Sequence, residues 1–414
     1  MADIAAPDRA ETTEDIETIG AEFFADPHAQ YRRWRARGPV LRVLFPDGVI
    51  RWVIVGHAEA RAALADPRLH KDATLVDRLI TAKRQVPPSD PRALALLTHM
   101  LNTDPPDHTR LRKLVSKAFT TRRIAALRPR IEDITATLLD AVATRDEVDL
   151  LHEFAVPLPI TVICELLGVP VSDRDAFQEW TKALVGVVGL EEERARATAA
   201  MTAFLSGLIR AKRAEPGEDL LSGLIEPADD GDALTESELV AMAFLLLVAG
   251  HETTVNLIGN GTLALLLDPP RLRALRADLD LVPAAVEEFL RYDGPVNMAT
   301  IRYTVEPITV GDTEIAPGEL VYIALSAANR DPQRYPAPDE LETERDTTAH
   351  LAFGHGIHFC LGAPLARLEA QIAFTALLQR FPHLRLSPTA NPTWQVSTLI
   401  RGMLELPVRL DDPA

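Results

Sequence analysis

Two cysteines, Cys164 and Cys360, are all that this 414-residue chain contains. That scarcity excludes a disulfide framework, a four-cysteine zinc site and an all-cysteine iron–sulfur cluster within one chain. Aromatic residues make up only 5% and strand-like runs are few, so the expected class is mainly α with small β-sheets. Basic residues are in deficit, 43 Lys+Arg against 60 Asp+Glu for a formal net charge of −17. With no basic arm or stripe, a general nucleic-acid binder is not expected. No apolar run exceeds ten residues, Val240 to Ala249, whereas a bilayer span needs about 20. The first twenty residues carry Asp3, Asp8, Glu11, Glu14, Asp15 and Glu17, the reverse of a signal peptide's basic start and apolar centre. A soluble, cytoplasmic, monomeric protein without a membrane partner is the expectation. An apolar fraction of 47% with 25% charged residues is ordinary for a globular chain.

Residues 1–19 are expected to form a flexible acidic tail and 20–414 a single domain. VLRVLF (40–45), Pro46-Asp47-Gly48 and VIRWVIV (49–55) spell two strands about a tight turn. TIRYTV, ITVGDTEIA and LVYIAL predict further short strands. Helical spacing dominates elsewhere, with Leu111, Leu114, Val115 and Ala118 on one stripe and Ile131, Ile134, Leu138, Leu139 and Val142 on another. Residues 69–100 and 170–195 fit regular elements poorly and are expected to be mobile, substrate-facing segments. The longest helix is predicted from the Thr235-x-x-Glu238 capping box to Asp268, before Pro269-Pro270. Apolar on nearly every face, it should run through the centre of the protein.

That helix breaks its own pattern at AGHETT (249–254). A glycine costs about 1 kcal/mol in a helix interior, and a charge follows the apolar run. Thr253 bonding back to Ala249 or Gly250 would leave a bulge beside Glu252, suited to proton delivery. A glycine at a helix crossing, with Glu252 in a salt bridge, explains the same residues. Cys360 stands in FGHGIHFCLG (353–362), ahead of the helical pattern APLARLEAQIAF. Its glycines permit sharp backbone turns and close approach of a flat group, and a helix start favours a thiolate. Cys164, inside ITVICELL, has the surroundings of a core residue. Glu288 and Arg291 share a helix face; most such pairs are solvated, but the apolar neighbours on this face also suit a buried ion pair. His108 and Arg112, four apart, can grip one anionic group or form a solvated basic face; Arg302 lies in a strand and says nothing alone.

Taken in order, these motifs resemble those of the cytochrome P-450 family over nearly the whole chain. FGHGIHFCLG resembles the haem-binding loop, with Cys360 as the iron ligand, and AGHETT resembles the oxygen-activation stretch. Glu288-x-x-Arg291 matches the family's buried pair, with Arg345 in PDELETERD as partner. That segment lacks the usual Phe two residues after the Asp, a departure confined to packing around Arg345. His108, Arg112, Arg302 and His358 match the contacts to the haem propionates. The resemblance implies a P-450 fold with haem b between the long central helix and the Cys loop. It implies a monooxygenase using O2 and two electrons from a ferredoxin and its reductase, with Thr253 and Glu252 supplying protons. LNTDPPDHTRLRKLV, PLPITVICELLGVP and AGHETTVNLIGNG are similar to the bacterial group that tailors macrolides and other polyketides. Hydroxylation or epoxidation of a large apolar secondary metabolite is therefore expected, with a steroid- or terpenoid-like substrate as the alternative.

Two other classes compete. A non-catalytic haem protein, sensor or electron carrier, has no use for Thr253 and Glu252. A cysteine hydrolase pairing Cys360 with His355 or His358 leaves His108, Arg112 and Arg302 unexplained. The substrate pocket is expected to draw apolar surface from Val296, Ala299, Leu399 and Ile400, and polar contacts from Asn297 and Arg401. Arg110 and Lys113 are expected to offer an acidic ferredoxin a landing patch.

Overall fold

A computed structural model describes residues 16–185, 191–226 and 232–410. Its strands are β1 (Ile16–Thr18), β2 (Val40–Leu44), β3 (Ile50–Ile54), β4 (Leu69–His70), β5 (Glu147–Asp149) and β6 (Arg302–Thr304). They continue with β7 (Ile308–Val310), β8 (Thr313–Ile315), β9 (Leu320–Ile323), β10 (Arg385–Leu386) and β11 (Pro407–Arg409). Six form a sheet in the order β1-β2-β3-β9-β6-β4; β10-β11-β5 and β7-β8 make two smaller ones. The β2–β3 hairpin pairs Val40 with Ile54 through Leu44 with Ile50, and Gly48 at its turn has φ 81°, which glycine adopts without penalty. Strand β1 runs parallel to β2, with Ile16 opposite Arg42. Ordered pairing thus begins inside the stretch expected to be a tail, whose residues 1–15 lie outside the described ones.

Helices supply most of the rest. The central helix, Glu236–Leu266, starts on the predicted capping box: Thr235 Oγ1 accepts from Glu238 N while the Glu238 side chain accepts from Thr235 N. It ends two residues short of the predicted Asp268, which instead caps the next helix by accepting from Arg271 N. By length and composition it could span a bilayer, yet 72% of its most apolar 18-residue window is buried. It packs on the Pro157–Leu167, Val282–Asp293 and Ala363–Arg380 helices, so it occupies the core. Cys164 is fully buried against it, among Ile163, Leu167 and Leu239–Leu247.

Segment 69–100 is more regular than its sequence suggests. Asp72 caps helix Ala73–Arg84 and Asp90 caps helix Pro91–Leu97, which has proline in its first turn. In 170–195, Arg174–Val185 is helical and 186–190 lie outside the described residues. Strand β6, which carries Arg302, is held between β9 and the edge strand β4, and Asp104 accepts from the N–H groups of Lys71 and Asp72 that follow β4.

Candidate functional site

Cys360 lies on a loop that glycine makes possible. Gly354 and Gly356 have φ of 73° and 74°, and a Cβ on Gly356 would fall 2.9 Å from the Leu64 carbonyl oxygen. The loop therefore lies flush against the end of helix His57–Ala65. Cys360 N donates to Phe353 O at 2.9 Å, closing the loop immediately before helix Ala363–Arg380. Neighbouring chain crowds Cys360, yet the cysteine itself is exposed, as are Ile357 and Phe359 beside it. Burial pushes its thiol up; the N–H groups of Gly362 and Ala363 and the Arg112 guanidinium act the other way and do not overcome it. The helix start thus favours a thiolate, as expected, while burial opposes it. A cation bonded to sulfur would hold the thiolate.

On the β4–β6 side, basic side chains converge, with the Asp104 carboxylate near Arg302, His108 and Lys71 and Asp66 near Arg302. His108 is 3% exposed and neither ring nitrogen has a hydrogen-bond partner. The His358 ring lies 4.4 Å from it, centroid to centroid. Arg302 is equally buried; its Nη1 makes long bonds to Leu64 O (3.3 Å) and Ala63 O (3.5 Å), and its Nε has no partner. Arg112 Nη2 donates to Phe359 O at 2.6 Å, joining this cluster to the Cys360 loop. Burial lowers His108, His358 and Arg302, the last to about 10. Repulsion from Arg112 and Lys71 adds to the effect on both histidines. Lys71, which no sequence pattern singled out, is buried in the same cluster. Its one signal is local: it follows β4 where that strand meets Arg302's own.

The central helix opens opposite its own pattern. Residues 239–247 and 254–263 are buried, while Ala249 is exposed and Val248, Gly250, Glu252 and Thr253 are half-buried. Val248 and Leu361, next to Cys360, border one apolar cluster. Thr253 Oγ1 donates to Ala249 O at 3.0 Å, the back-bond foreseen, but the helix runs on without the expected bulge. Gly250 is also a helix crossing, since a Cβ there would meet Ile163 Cδ1 at 2.9 Å. The Glu252 carboxylate stands 3.5 Å from Gln395 Nε2 and 3.8 Å from His251 Nε2. His251 is buried, with Nδ1 bonded to Leu247 O at 2.7 Å, and burial lowers its pKa.

Several neighbours have other duties. Glu288 and Arg291, both fully buried, share bonds of 2.6 and 2.7 Å, and Arg345 Nε stands 3.4 Å from Glu288. This triad ties 329–345 to the Val282–Asp293 helix, with Arg291 also bonding Asn329 O and Pro338 O. Val296 and Ile400 pair across a bridge that joins two of the expected pocket segments, and Asn297 N donates to Leu399 O. Asn297 itself accepts from Tyr31, and Arg401 bonds Asp293 and the Phe24 and Ala25 carbonyls under Trp394. Both are structural rather than pocket contacts. Arg110 is bound to Asp232 and Glu238, which removes it from the expected landing patch.

Among the described residues no cluster of three or more His, Cys, Asp or Glu side chains could hold a metal ion. A metal at Cys360 must bring its other ligands with it. A flat, iron-bearing group with two carboxylates would satisfy both the lone sulfur and the unpartnered nitrogens of His108 and Arg302.

A family model for cytochrome P450 matches residues 189–403. Cytochrome P450 107B1 of Saccharopolyspora erythraea is 53% identical over 401 residues, 95% of this chain and 98% of that one. The 6-deoxyerythronolide B hydroxylase of the same organism is 44% identical, covering 97% of this chain and 99% of the other. The structure of tirandamycin C-bound P450 monooxygenase TamI superposes with a TM-score of 0.89 at 49% identity, covering 95% of this chain and 100% of that one.

Proposed function

Since the chain belongs to the cytochrome P450 family and is a haem b-dependent monooxygenase, we propose that Cys360 is its ligand to iron. His108, Arg112, Arg302 and His358 hold the haem carboxylates, and Thr253 and Glu252 serve proton delivery. The observation that carries this assignment is the joining of an exposed thiol, through the bond from Arg112 to Phe359 O, to buried His108 and Arg302, whose ring nitrogens and Nε have no hydrogen-bond partner.

Haem with a thiolate ligand supplies the oxygen chemistry, splitting O2 with two electrons so that one atom enters the substrate. The protein's part is to hold and to shield. The Gly362 and Ala363 N–H groups point at the Cys360 sulfur and withdraw charge from it, a lever on reduction potential. Arg302, Arg112 and the two histidines would hold the carboxylates of the cofactor by hydrogen bonds. Thr253 gives its hydrogen to Ala249, so its oxygen can only accept; it orients a proton-bearing water or ligand rather than surrendering its own proton. Glu252, held between His251 and Gln395 and partly solvated, passes protons inward from solvent.

The substrate class proposed is a large apolar secondary metabolite, a macrolide or other polyketide. Relatives named for 6-deoxyerythronolide B and tirandamycin C support it, as do the half-buried apolar side chains of Val296 and Ala299. A vitamin D(3) 25-hydroxylase, 46% identical, favours a steroid-like substrate as the second reading. Electrons come from a ferredoxin and its reductase, and the enzyme works in the cytoplasm. The test is the reduced carbon-monoxide spectrum of the purified protein. A red-shifted Soret band that disappears in Cys360→Ser is expected; a band retained by that variant would refute the ligand. Titrating polyketides and secosteroids for the low-to-high-spin shift then separates the two substrate classes.

A further inference from the structure

Lys71 directly follows β4 and is 3% exposed. Its main-chain N–H is held by the Asp104 carboxylate at 2.9 and 3.1 Å, and the same carboxylate takes Asp72 N at 3.0 Å. Asp104 is thereby committed to the backbone. Among the described residues the Lys71 ammonium has no hydrogen bond or ion pair. An ammonium taken out of water without a partner is costly, so it either gives up its proton or awaits an anion. Burial and the neighbouring Arg302 pull it well below the usual amine range, and Asp104 opposes them only in part.

What surrounds it identifies the anion. Lys71 follows β4, which pairs with Arg302's strand β6, and its charge acts on Arg302, His99, His108 and His358, so it belongs to the same cluster. His99 is itself buried with Nδ1 unpartnered. The same cluster reaches the Cys360 loop through Arg112. A single molecule that satisfies the cations and the sulfur together must carry carboxylates at one edge and a metal at its centre.

We propose that Lys71 is a further haem-binding residue, its ammonium bonding a haem carboxylate from the β4 side. The proposal rests on the haem assignment above. It also gives Asp104 a purpose: by clamping the backbone at Lys71 and Asp72 it aims the lysine without neutralising it. Because helix Ala73–Arg84 begins at the next residue, the cofactor edge and that helix share one anchor.

The experiment compares haem loss from holoenzyme to excess apomyoglobin, and the propionate-bending band in the resonance Raman spectrum. One lost charge-assisted bond predicts about tenfold faster loss in Lys71→Met, with a shifted band, and near-normal behaviour in Lys71→Arg. Loss from Lys71→Met within about twofold of wild type, a difference no larger than that between non-interacting sites, together with an unmoved band, overturns the proposal. Should the methionine variant not fold, Lys71→Gln is set against Lys71→Arg: faster loss from Gln supports the contact and equal rates overturn it. Failure of the wild-type protein to take up haem would instead overturn the haem assignment, so the two failures are distinct.

Discussion

Thr253 gives its hydroxyl hydrogen to the carbonyl of Ala249, one turn back at 3.0 Å, within the only stretch of residues 239–263 that is not buried. The hydroxyl is therefore presented as an acceptor, held by its own helix. Removing it should leave the fold unchanged, because Ala249 O keeps its ordinary helical partner. In Thr253→Ala, consumption of NAD(P)H should persist while product per NAD(P)H falls several-fold and hydrogen peroxide accumulates. Unaltered coupling would show that Thr253 does not position a proton donor.

The Glu288–Arg291 pair tests stability rather than chemistry. Both side chains are fully buried, and Glu288 also accepts from Glu342 N at 2.8 Å. Removing one partner of such a pair leaves the other charge buried alone, at a cost of about 3–5 kcal/mol. Glu288→Ala should lower the urea midpoint accordingly. A loss below about 1 kcal/mol would mean that the pair behaves like a solvated one.

Two carboxyls predict opposite responses to pH. Burial would raise Glu287, but bonds from Arg367 and His350 outweigh it and hold the group at about 2, below its ordinary 4.5. That contribution is complete above pH 4.5 and is lost as the pH falls toward 2, worth up to about 3 kcal/mol. Glu369 is buried in helix Ala363–Arg380 with Oε2 unpartnered, and burial raises it to about 8. Its contribution is complete below pH 4.5 and is lost as the pH rises to 8. Unfolding free energy measured against pH should therefore show a shallower acid limb in Glu287→Gln and a shallower alkaline limb in Glu369→Gln. Limbs unchanged from wild type would contradict these environments.

One substitution at two glycines should have opposite signs. A Cβ at Gly261, in the central helix, would lie 2.6 Å from Phe374 Cζ and 2.9 Å from Phe289 Cδ2, two core rings already in contact. Overpacking of about 1–3 kcal/mol should exceed the gain of about 1 kcal/mol in helix propensity. At Gly207, in helix Glu191–Ala214, the nearest atom would be 3.9 Å away. Gly207→Ala should therefore stabilise, and thermal melts of the two variants would separate in opposite directions. Parallel shifts would discount the crossing at Gly261.

The sequence by itself determined the elements whose signals are local. The Thr235–Glu238 capping box, the Asp47-Gly48 hairpin and the glycines around Cys360 act within a few residues, and each is found where its pattern lies. Burial of Cys164 and the Glu288–Arg291 pair was legible because helix periodicity places residues on one face. The motifs in their order also pointed to the family, and the resemblance is what proposes the set His108, Arg112, Arg302 and His358. The tertiary structure alone decided what depends on distant partners. Lys71 carries no pattern and matters only because β4 pairs with β6 and Asp104 turns it inward. Asn297 and Arg401, plausible pocket residues by position, are held by Tyr31, Asp293 and the Phe24 and Ala25 carbonyls. Arg110, a third exposed, is paired with Asp232 and Glu238. The thiol state of Cys360 belongs with these. A helix start favours thiolate locally, but burial by the whole fold opposes it, so the charge on that sulfur depends on what binds there.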